Sequence, residues 1–357
     1  MTFELPVYDE PDFESERLAS CPDAVTEPVT KRGVAPEGFH ATTIFPEYVR
    51  LDGRWLLARE SRMDCVMVAK DDATLEVTEF RRLESGDRVV LGRAEDGSEG
   101  IFVHPGGFSY AEEVSEAFTF RTGRTRETSY SMDYDRLYEI LVHERENGYI
   151  VWVAGPAVVF DYDSRNAMVG LIERGFADAV LAGNALATHD LEAALFRTGL
   201  GQDIYTQVSA KNGHYNHLDT LNRARACGSA EALIGQYQVD SGVVEACTRC
   251  GVPMVIAGSI RDDGPLPETI TDMNAAQDAY AAELRGAGLV LCLGTMLHSI
   301  ATGNMLPSWV KVVCVDINPA VATKVSDRGT GQAVGIVADV GLFLHLLSKD
   351  LLSKALA

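Results

Sequence analysis

From residue 149 onward, apolar runs recur along the chain, each closing on a small or polar residue. They are YIVWVAGP (149–156), DAVLAGN (178–184), PMVIAGS (253–259), LVLCLGT (289–295), KVVCVDIN (311–318) and AVGIVAD (333–339), separated by helical stretches such as SRNAMVGLIERG and AAQDAYAAELRGAG. Continuous apolar strands alternating with helices predict an α/β domain, a parallel doubly wound sheet covered on both faces, over residues 149–357. Earlier in the chain the pattern differs. YVRLDGRWLLA has a DG turn between two strand-like runs, and RMDCVMVA and SGDRVVLG add further short runs, so residues 34–110 read as a small β-rich domain. Residues 1–33 are acidic and aperiodic and read as an extended arm, and residues 111–148 read as a helical connector.

An open parallel sheet binds ligands at the carboxyl ends of its strands. Gly155 with Pro156, Gly183 with Asn184, Gly258 with Ser259, Gly294 with Thr295, Asp316 with Ile317 and Asn318, and Asp339 are therefore expected on one edge. Glycines there let a ligand approach the backbone, and the helices that follow offer amide donors to phosphate. Asp316, closing a late strand, is placed to accept bonds from ribose hydroxyls. A single strand-end glycine is an ordinary turn; six endings together point to a nucleotide. No GxGxxG is present, so the usual dinucleotide fingerprint is missing.

The loop GSIRDDGPLPETITD (258–272) sets Arg261, Asp262 and Asp263 directly after an apolar strand. Charges at such a place form either a site or an ion-pair network. Asp262 and Asp263 suit a cationic amine, and Arg261 suits a carboxylate or neutralises the two aspartates. NGHYNHL places His214 and His217 three apart, for proton work or loop packing; no further ligands accompany them, so no metal is expected. His189 and Asp190 read as a helix cap, and Cys247 and Cys250 as structural thiols.

Composition narrows the class. At 46% apolar and 23% charged residues the chain is ordinary globular material, and its net charge of -21 would repel nucleic acid. There is no apolar run of membrane-spanning length, and MTFELPVYDEPDFESER is acidic where a signal peptide is basic and then apolar. A soluble cytoplasmic protein with no membrane partner is expected.

The segments APEGFHATT (35–43), AGPAVV (154–159), LAGNALATHDLEAALF (181–196), NGHYNHL (212–218), AGSIRDDGPLPETITD (257–272), TMLHSIATGNMLPS (295–308) and VCVDINPAVATKVSDRG (313–329) resemble one family in order and spacing. It is the family named for the conserved domain of the lysine-oxoglutarate reductase and saccharopine dehydrogenase bifunctional enzyme (LOR/SDH). That family includes archaeal ornithine cyclodeaminases and the C-terminal half of cyanobacterial arginine dihydrolase fusions. The resemblance spans Val34 to Leu347 and implies an NAD-binding domain of the deoxyhypusine synthase and sirtuin type in a homo-oligomeric enzyme. It also implies NAD-dependent conversion of L-ornithine to L-proline and ammonia, in which hydride leaves Cα, the δ-amine attacks the imine carbon, and hydride returns. On this reading Arg261, Asp262, Asp263, His214 and His217 serve catalysis. Lys324 joins them because similar imine-handling enzymes use a lysine in this region. The strand-end residues, with Met296, His298, Ser299 and Asn304, serve the cofactor. A diamino acid dehydrogenase or imine reductase, and a non-catalytic nucleotide-binding regulator, are the alternatives. Two stretches depart from the family pattern, Phe160-Asp161-Tyr162 and FRTGLGQD (196–203).

Overall fold

Short antiparallel strands make up the N-terminal region of the computed structural model, which describes residues 7–70, 74–109, 130–262, 264–327 and 333–354. Strands β2 (Val25–Pro28), β5 (Val66–Ala69), β6 (Leu75–Thr78) and β7 (Arg88–Leu91) pair in the order β2-β7-β5-β6. A second sheet runs β4-β3-β8, from β3 (Glu47–Leu51), β4 (Arg54–Leu57) and β8 (Ile101–Val103), while β1 (Val7–Tyr8) pairs with β9 (Phe108–Ser109). The DG turn joins β3 to β4 with Asp52 at φ 49 and Gly53 at φ 75, the left-handed pair that a two-residue hairpin loop requires. Residues 7–33, read from the sequence as part of an extended arm over 1–33, carry a short helix, α1 (Glu16–Ala19), and lie on this region: Val25–Pro28 pair with β7, and Val29 is buried. Two polar residues of APEGFHATT, His40 and Thr42, are buried and used internally. His40 bonds Glu47 at 2.9 Å with both side chains buried, and Thr42 donates to the Arg62 carbonyl.

Each of the six later runs forms a strand: β10 (Ile150–Ala154), β11 (Ala179–Gly183), β14 (Met254–Ala257), β15 (Leu289–Leu293), β16 (Lys311–Asp316) and β17 (Ala333–Val337). All pair in parallel, in the order β14-β11-β10-β15-β16-β17. Counted within the sheet this is 3-2-1-4-5-6, the doubly wound order, with its switch point between β10 and β15. Successive residues of a strand face opposite sides, so each central strand feeds two cores. Ile150, Trp152 and Ala154 pack with α2 (Tyr130–Asn147), α3 (Tyr162–Glu173) and α11 (Val340–Lys354) through Leu137, Met168 and Phe343. Val151 and Val153 pack with α8 (Met273–Glu283), α9 (Met296–Met305) and α10 (Pro319–Asp327) through Tyr280, Met305 and Val321.

The crossover from β11 to β14 is long and builds its own apolar cluster around Leu191, Leu233 and Ile256. It holds α4 (Asn184–Phe196), the hairpin β12 (Thr198–Gly199) and β13 (Gln202–Asp203), α5 (His214–Cys227), α6 (Ala230–Tyr237) and α7 (Val243–Cys250). His189 and Asp190 lie within α4 and do not cap it. Asp190 instead accepts from Val244 N at 2.8 Å, closing the start of α7, and from Arg165 Nε at 2.7 Å. Both members of that ion pair are buried, so removing the Asp190 carboxylate leaves the Arg165 charge without its counter-charge, held only by the Ser241 and residue 190 carbonyls and the Ser241 hydroxyl. Asp190→Ala is expected to destabilise the fold by about 3–5 kcal/mol, read as a fall in midpoint on thermal or urea denaturation.

The two regions meet along α8 and α9. Met63 N donates to Asn304 O at 3.3 Å, Ser308 N donates to Ile44 O at 2.8 Å, and Arg81 and Arg82 both bond Asp278. The Arg81 guanidinium, with Arg82 beside it, holds the Asp278 carboxyl down at about 2.

Candidate active site

At the switch point two backbones touch. Gly155 N donates to Leu293 O at 2.8 Å, and a Cβ at Gly155 would stand 2.1 Å from the Gly294 oxygen. Gly294 has φ 58, a left-handed turn that glycine adopts without strain. Beyond it Thr295 opens α9 without a side-chain cap, and α4 likewise opens after Gly183 without one. Other helices at this edge are closed by their own side chains. Asp161 accepts from Ser164 N at 2.9 Å, Asn318 from Ala320 N at 3.0 Å, and Asp339 from Leu342 N at 3.0 Å. Amide donors free of side-chain caps thus sit after β11 and β15, flanking the switch point, where the helix dipoles favour an anion.

His298, in the first turn of α9, faces this opening. Its Nδ1 lies 2.7 Å from the Tyr280 hydroxyl, and that hydroxyl lies 2.9 Å from the Ala182 carbonyl. A carbonyl only accepts, so Tyr280 donates to Ala182 and receives the Nδ1 proton of His298. The Nε2 lone pair is then left toward Gly183, where a Cβ would come within 3.2 Å of it. Burial pushes the His298 pKa below its ordinary value, against the opposing charge of Asp262. Burial likewise raises Tyr280, so the phenol stays protonated and the relay keeps its direction.

Asp262 reaches the same place from the loop after β14. Its Oδ2 accepts from Ser259 N at 2.7 Å, and its Oδ1 stands 3.5 Å from Asn184 Nδ2. Asn184 Oδ1 in turn accepts from Leu266 N at 3.0 Å, Thr188 Oγ1 at 3.2 Å and Thr269 Oγ1 at 3.3 Å. One amide side chain therefore pins the charged loop to the start of α4. Gly258 N donates to Ile270 O at 2.9 Å, bracing the far side of the loop.

The structure brings Gly155, Pro156, Gly183, Asn184, Gly294, Thr295, His298 and Asp262 to the centre of the edge, with Gly258, Ser259, Asp316 and Asp339 at or just after the flanking strand ends. Asp263 lies outside the described residues, and Arg261 is exposed. Ser299 is buried, its hydroxyl spent on the Thr295 carbonyl. Asn304 is at the opposite end of α9, about 12 Å along the axis, against the Met63 loop. Asp316 keeps the strand-end position, with Oδ1 accepting Asn318 N at 2.8 Å, while Ile317 and Met296 are exposed. Lys324 is exposed on α10 with its amine 3.9 Å from Sδ of Met296, the first residue of α9. His214 is exposed at the start of α5, its ring centroid 4.3 Å from that of Tyr215. His217 is half-buried with its ring 6.2 Å from His189. The two divergent stretches meet where a Cβ at Gly199 would lie 3.4 Å from Phe160 Cδ1, and the residues just after the second stretch hold the first: Tyr162 N donates to Ile204 O at 3.0 Å, and Gln207 Nε2 donates to Phe160 O at 3.1 Å. Sequence reasoning missed Tyr280, which looks like one more helix residue, and Glu192, whose only signal was a charge in the apolar face of LEAALF.

Comparison with known proteins agrees with this architecture. Two family models match, "Arginine dihydrolase ArgZ-like, C-terminal, Rossmann fold" over residues 137–347 and the first region of the same C-terminal unit over residues 46–128. The chain is 42% identical to an ornithine cyclodeaminase of Methanocaldococcus jannaschii, over 91% of this chain and 77% of that one. It is 39% identical to the bifunctional arginine dihydrolase/ornithine cyclodeaminase AgrE of Nostoc sp., over 92% of this chain and 47% of that one. Among solved structures, a LOR/SDH protein of Methanococcus maripaludis S2 superposes with a TM-score of 0.85 at 36% identity, covering 94% of this chain and 99% of that one. The ternary complex of AgrE with ornithine and NAD+ gives 0.59 at 38% identity, covering 94% of this chain and 46% of that one. The paired glycines, the side-chain-free helix starts and the matched models lead to one conclusion: this chain belongs to the ArgZ-like C-terminal family, with which the archaeal ornithine cyclodeaminases are its relatives.

Proposed function

We propose that the protein is an NAD-dependent ornithine cyclodeaminase, turning L-ornithine into L-proline and ammonia. The observation that carries this reading beyond family membership is the pairing, at the switch point, of an oriented neutral imidazole with a fixed carboxylate. The residues fit NAD. The contact between Gly155 and Gly294 leaves no side chain over the crevice, the starts of α4 and α9 offer amides to a pyrophosphate, and Asp316 closes the strand that follows. When bound, NAD accepts a hydride from the substrate and gives it back.

The protein's own groups must then move protons and exclude water. Asp262 supplies the negative charge that holds a substrate ammonium. Nε2 of His298 accepts a proton from that ammonium, which frees the nitrogen lone pair to support hydride departure from Cα. A buried imidazole with a lowered pKa is already unprotonated near neutrality, so it enters the cycle ready to act. Its partner Tyr280 keeps the lone pair on the correct nitrogen.

The direct test incubates purified protein with NAD and L-ornithine and follows proline, ammonia and NADH together. Proline and ammonia in equal amounts without accumulating NADH are expected; ammonia with stoichiometric NADH would overturn the reading in favour of a dehydrogenase, and binding without turnover in favour of a regulator. A pH profile tests the base. The groups facing His298 are Tyr280 and Asp262, and its net shift is downward, so kcat/KM should hold through pH 6.5, the ordinary imidazole value of about that size, and fall only further into acid as Nε2 is protonated. Tyr280→Phe removes the acceptor for Nδ1–H and is expected to lower kcat by about 10- to 100-fold while NAD affinity stays near wild type.

A further inference from the structure

We infer that His189, aimed by Glu192 and faced by His217, receives the second amine of the substrate and takes a proton from it; this rests on the diamino acid reading above. Glu192 is wholly buried in α4 and accepts four bonds. They come from His189 Nδ1 at 2.8 Å, Thr198 Oγ1 at 2.8 Å, Gly201 N at 2.9 Å and Leu200 N at 3.1 Å. Burial alone pushes this carboxyl up, but the bonds from His189, Gly201 and Thr198 outweigh it and hold it below the usual range. The group is an anion and only accepts, so His189 carries its proton on Nδ1 and presents a lone pair at Nε2.

The ring sits in a built environment. The His189 side chain is 9% exposed, its ring centroid lies 5.3 Å from that of Phe160, just past the switch-point turn, and 6.2 Å from that of His217. Nδ1 of His217 is buried and has no hydrogen-bond partner. A buried imidazole nitrogen of His217 without a partner, beside a second imidazole backed by a buried carboxylate and an aromatic ring, matches a primary ammonium: it donates to Nε2 of His189, and the charge of Glu192 balances it through the ring.

Five positions of α4, a rise of about 7.5 Å, separate Asn184, which holds Asp262, from His189. Hydride leaves Cα, so Cα belongs at the switch point with its amine at Asp262 and His298, and the side-chain amine extends toward His189. In the proposed step one N–H bond of that ammonium breaks and one forms at Nε2. The freed lone pair attacks C2 of the α-iminium, the new ring nitrogen gives its surplus proton to the α-nitrogen, and its lone pair closes the ring C=N bond as the bond from C2 to the α-nitrogen breaks and ammonia leaves. At the end of the cycle Nε2 gives up the proton it took. Glu192 acts through His189 and is a positioning residue.

The test compares wild type with His189→Gln, Glu192→Gln and His217→Phe, using ornithine and, as a competitive inhibitor, 2-aminopentanoate, which lacks the side-chain amine. Each variant should raise the ornithine KM or lower kcat/KM at least ten-fold while the inhibition constant of 2-aminopentanoate and the affinity for NAD stay at wild-type values. NAD titration reports folding; if the variants at the buried positions fail it, His217→Phe, at the half-buried ring, decides. Unchanged discrimination between ornithine and 2-aminopentanoate in folded variants overturns the inference while leaving the proposed function standing. Wild-type protein that makes no proline overturns both.

Discussion

His298→Gln is expected to lower kcat by about 10²–10⁴-fold, the usual contribution of a positioned general base, with the NAD dissociation constant moving less than about three-fold. Glutamine fits the space and can bond Tyr280, but it cannot take a proton near neutrality. A loss confined to kcat, with NAD binding intact by titration, separates a proton-transfer role from a packing one. If kcat survives, the base lies elsewhere and the tautomer set by Tyr280 and Ala182 has no catalytic meaning. Asp262→Asn examined in the same way should instead raise KM for ornithine as well as lower kcat, since its carboxylate is assigned to hold the ammonium. Its bond from Ser259 N, at 2.7 Å, can be kept by the amide oxygen, so the loop should survive the change.

Gly155→Ala should disable the cofactor site itself. The added methyl would stand 2.1 Å from the Gly294 oxygen and 3.1 Å from the Thr295 Cβ, and the first of these is backbone, held by the pairing of β10 with β15. No flexible side chain can yield, so the strand ends must part at the point where a dinucleotide would cross. NAD affinity is expected to fall by at least about 100-fold, or ~2.8 kcal/mol, and stability by about 1–3 kcal/mol, as for other overpacked positions. Gly235→Ala, in α6 with open space around its Cβ position, is the control. It should leave NAD binding alone and raise stability by about 0.5–1 kcal/mol. Equal NAD affinity in the two variants would remove the switch-point glycines from the cofactor site.

Much of the fold was legible in the order of apolar and polar residues. Each run that lacked polar alternation became a strand, the central ones buried on both faces, and because helices separate them the strands are parallel and end on one edge. That reasoning placed Gly155, Gly183, Gly294 and Asp316 correctly at strand ends, and Asp262 in the loop after β14. It did not say where on its helix Asn304 would lie, since lying soon after a strand does not fix which end or side of the next helix a residue occupies. Asn304 is at the far end of α9.

What the sequence determined by itself is therefore the set of elements, which faces they bury, and the edge where chemistry collects, because period and composition report burial. What only the tertiary structure decided is lateral: the 3-2-1-4-5-6 order that presses Gly155 against Gly294, the helix starts left without a side-chain cap, and the partners that aim the two imidazoles. Tyr280 meets a carbonyl 98 positions away, and Asp262 meets an asparagine 78 away. Such pairs leave no periodic trace, because a hydrogen bond depends on where two elements cross and not on the neighbours of either residue along the chain.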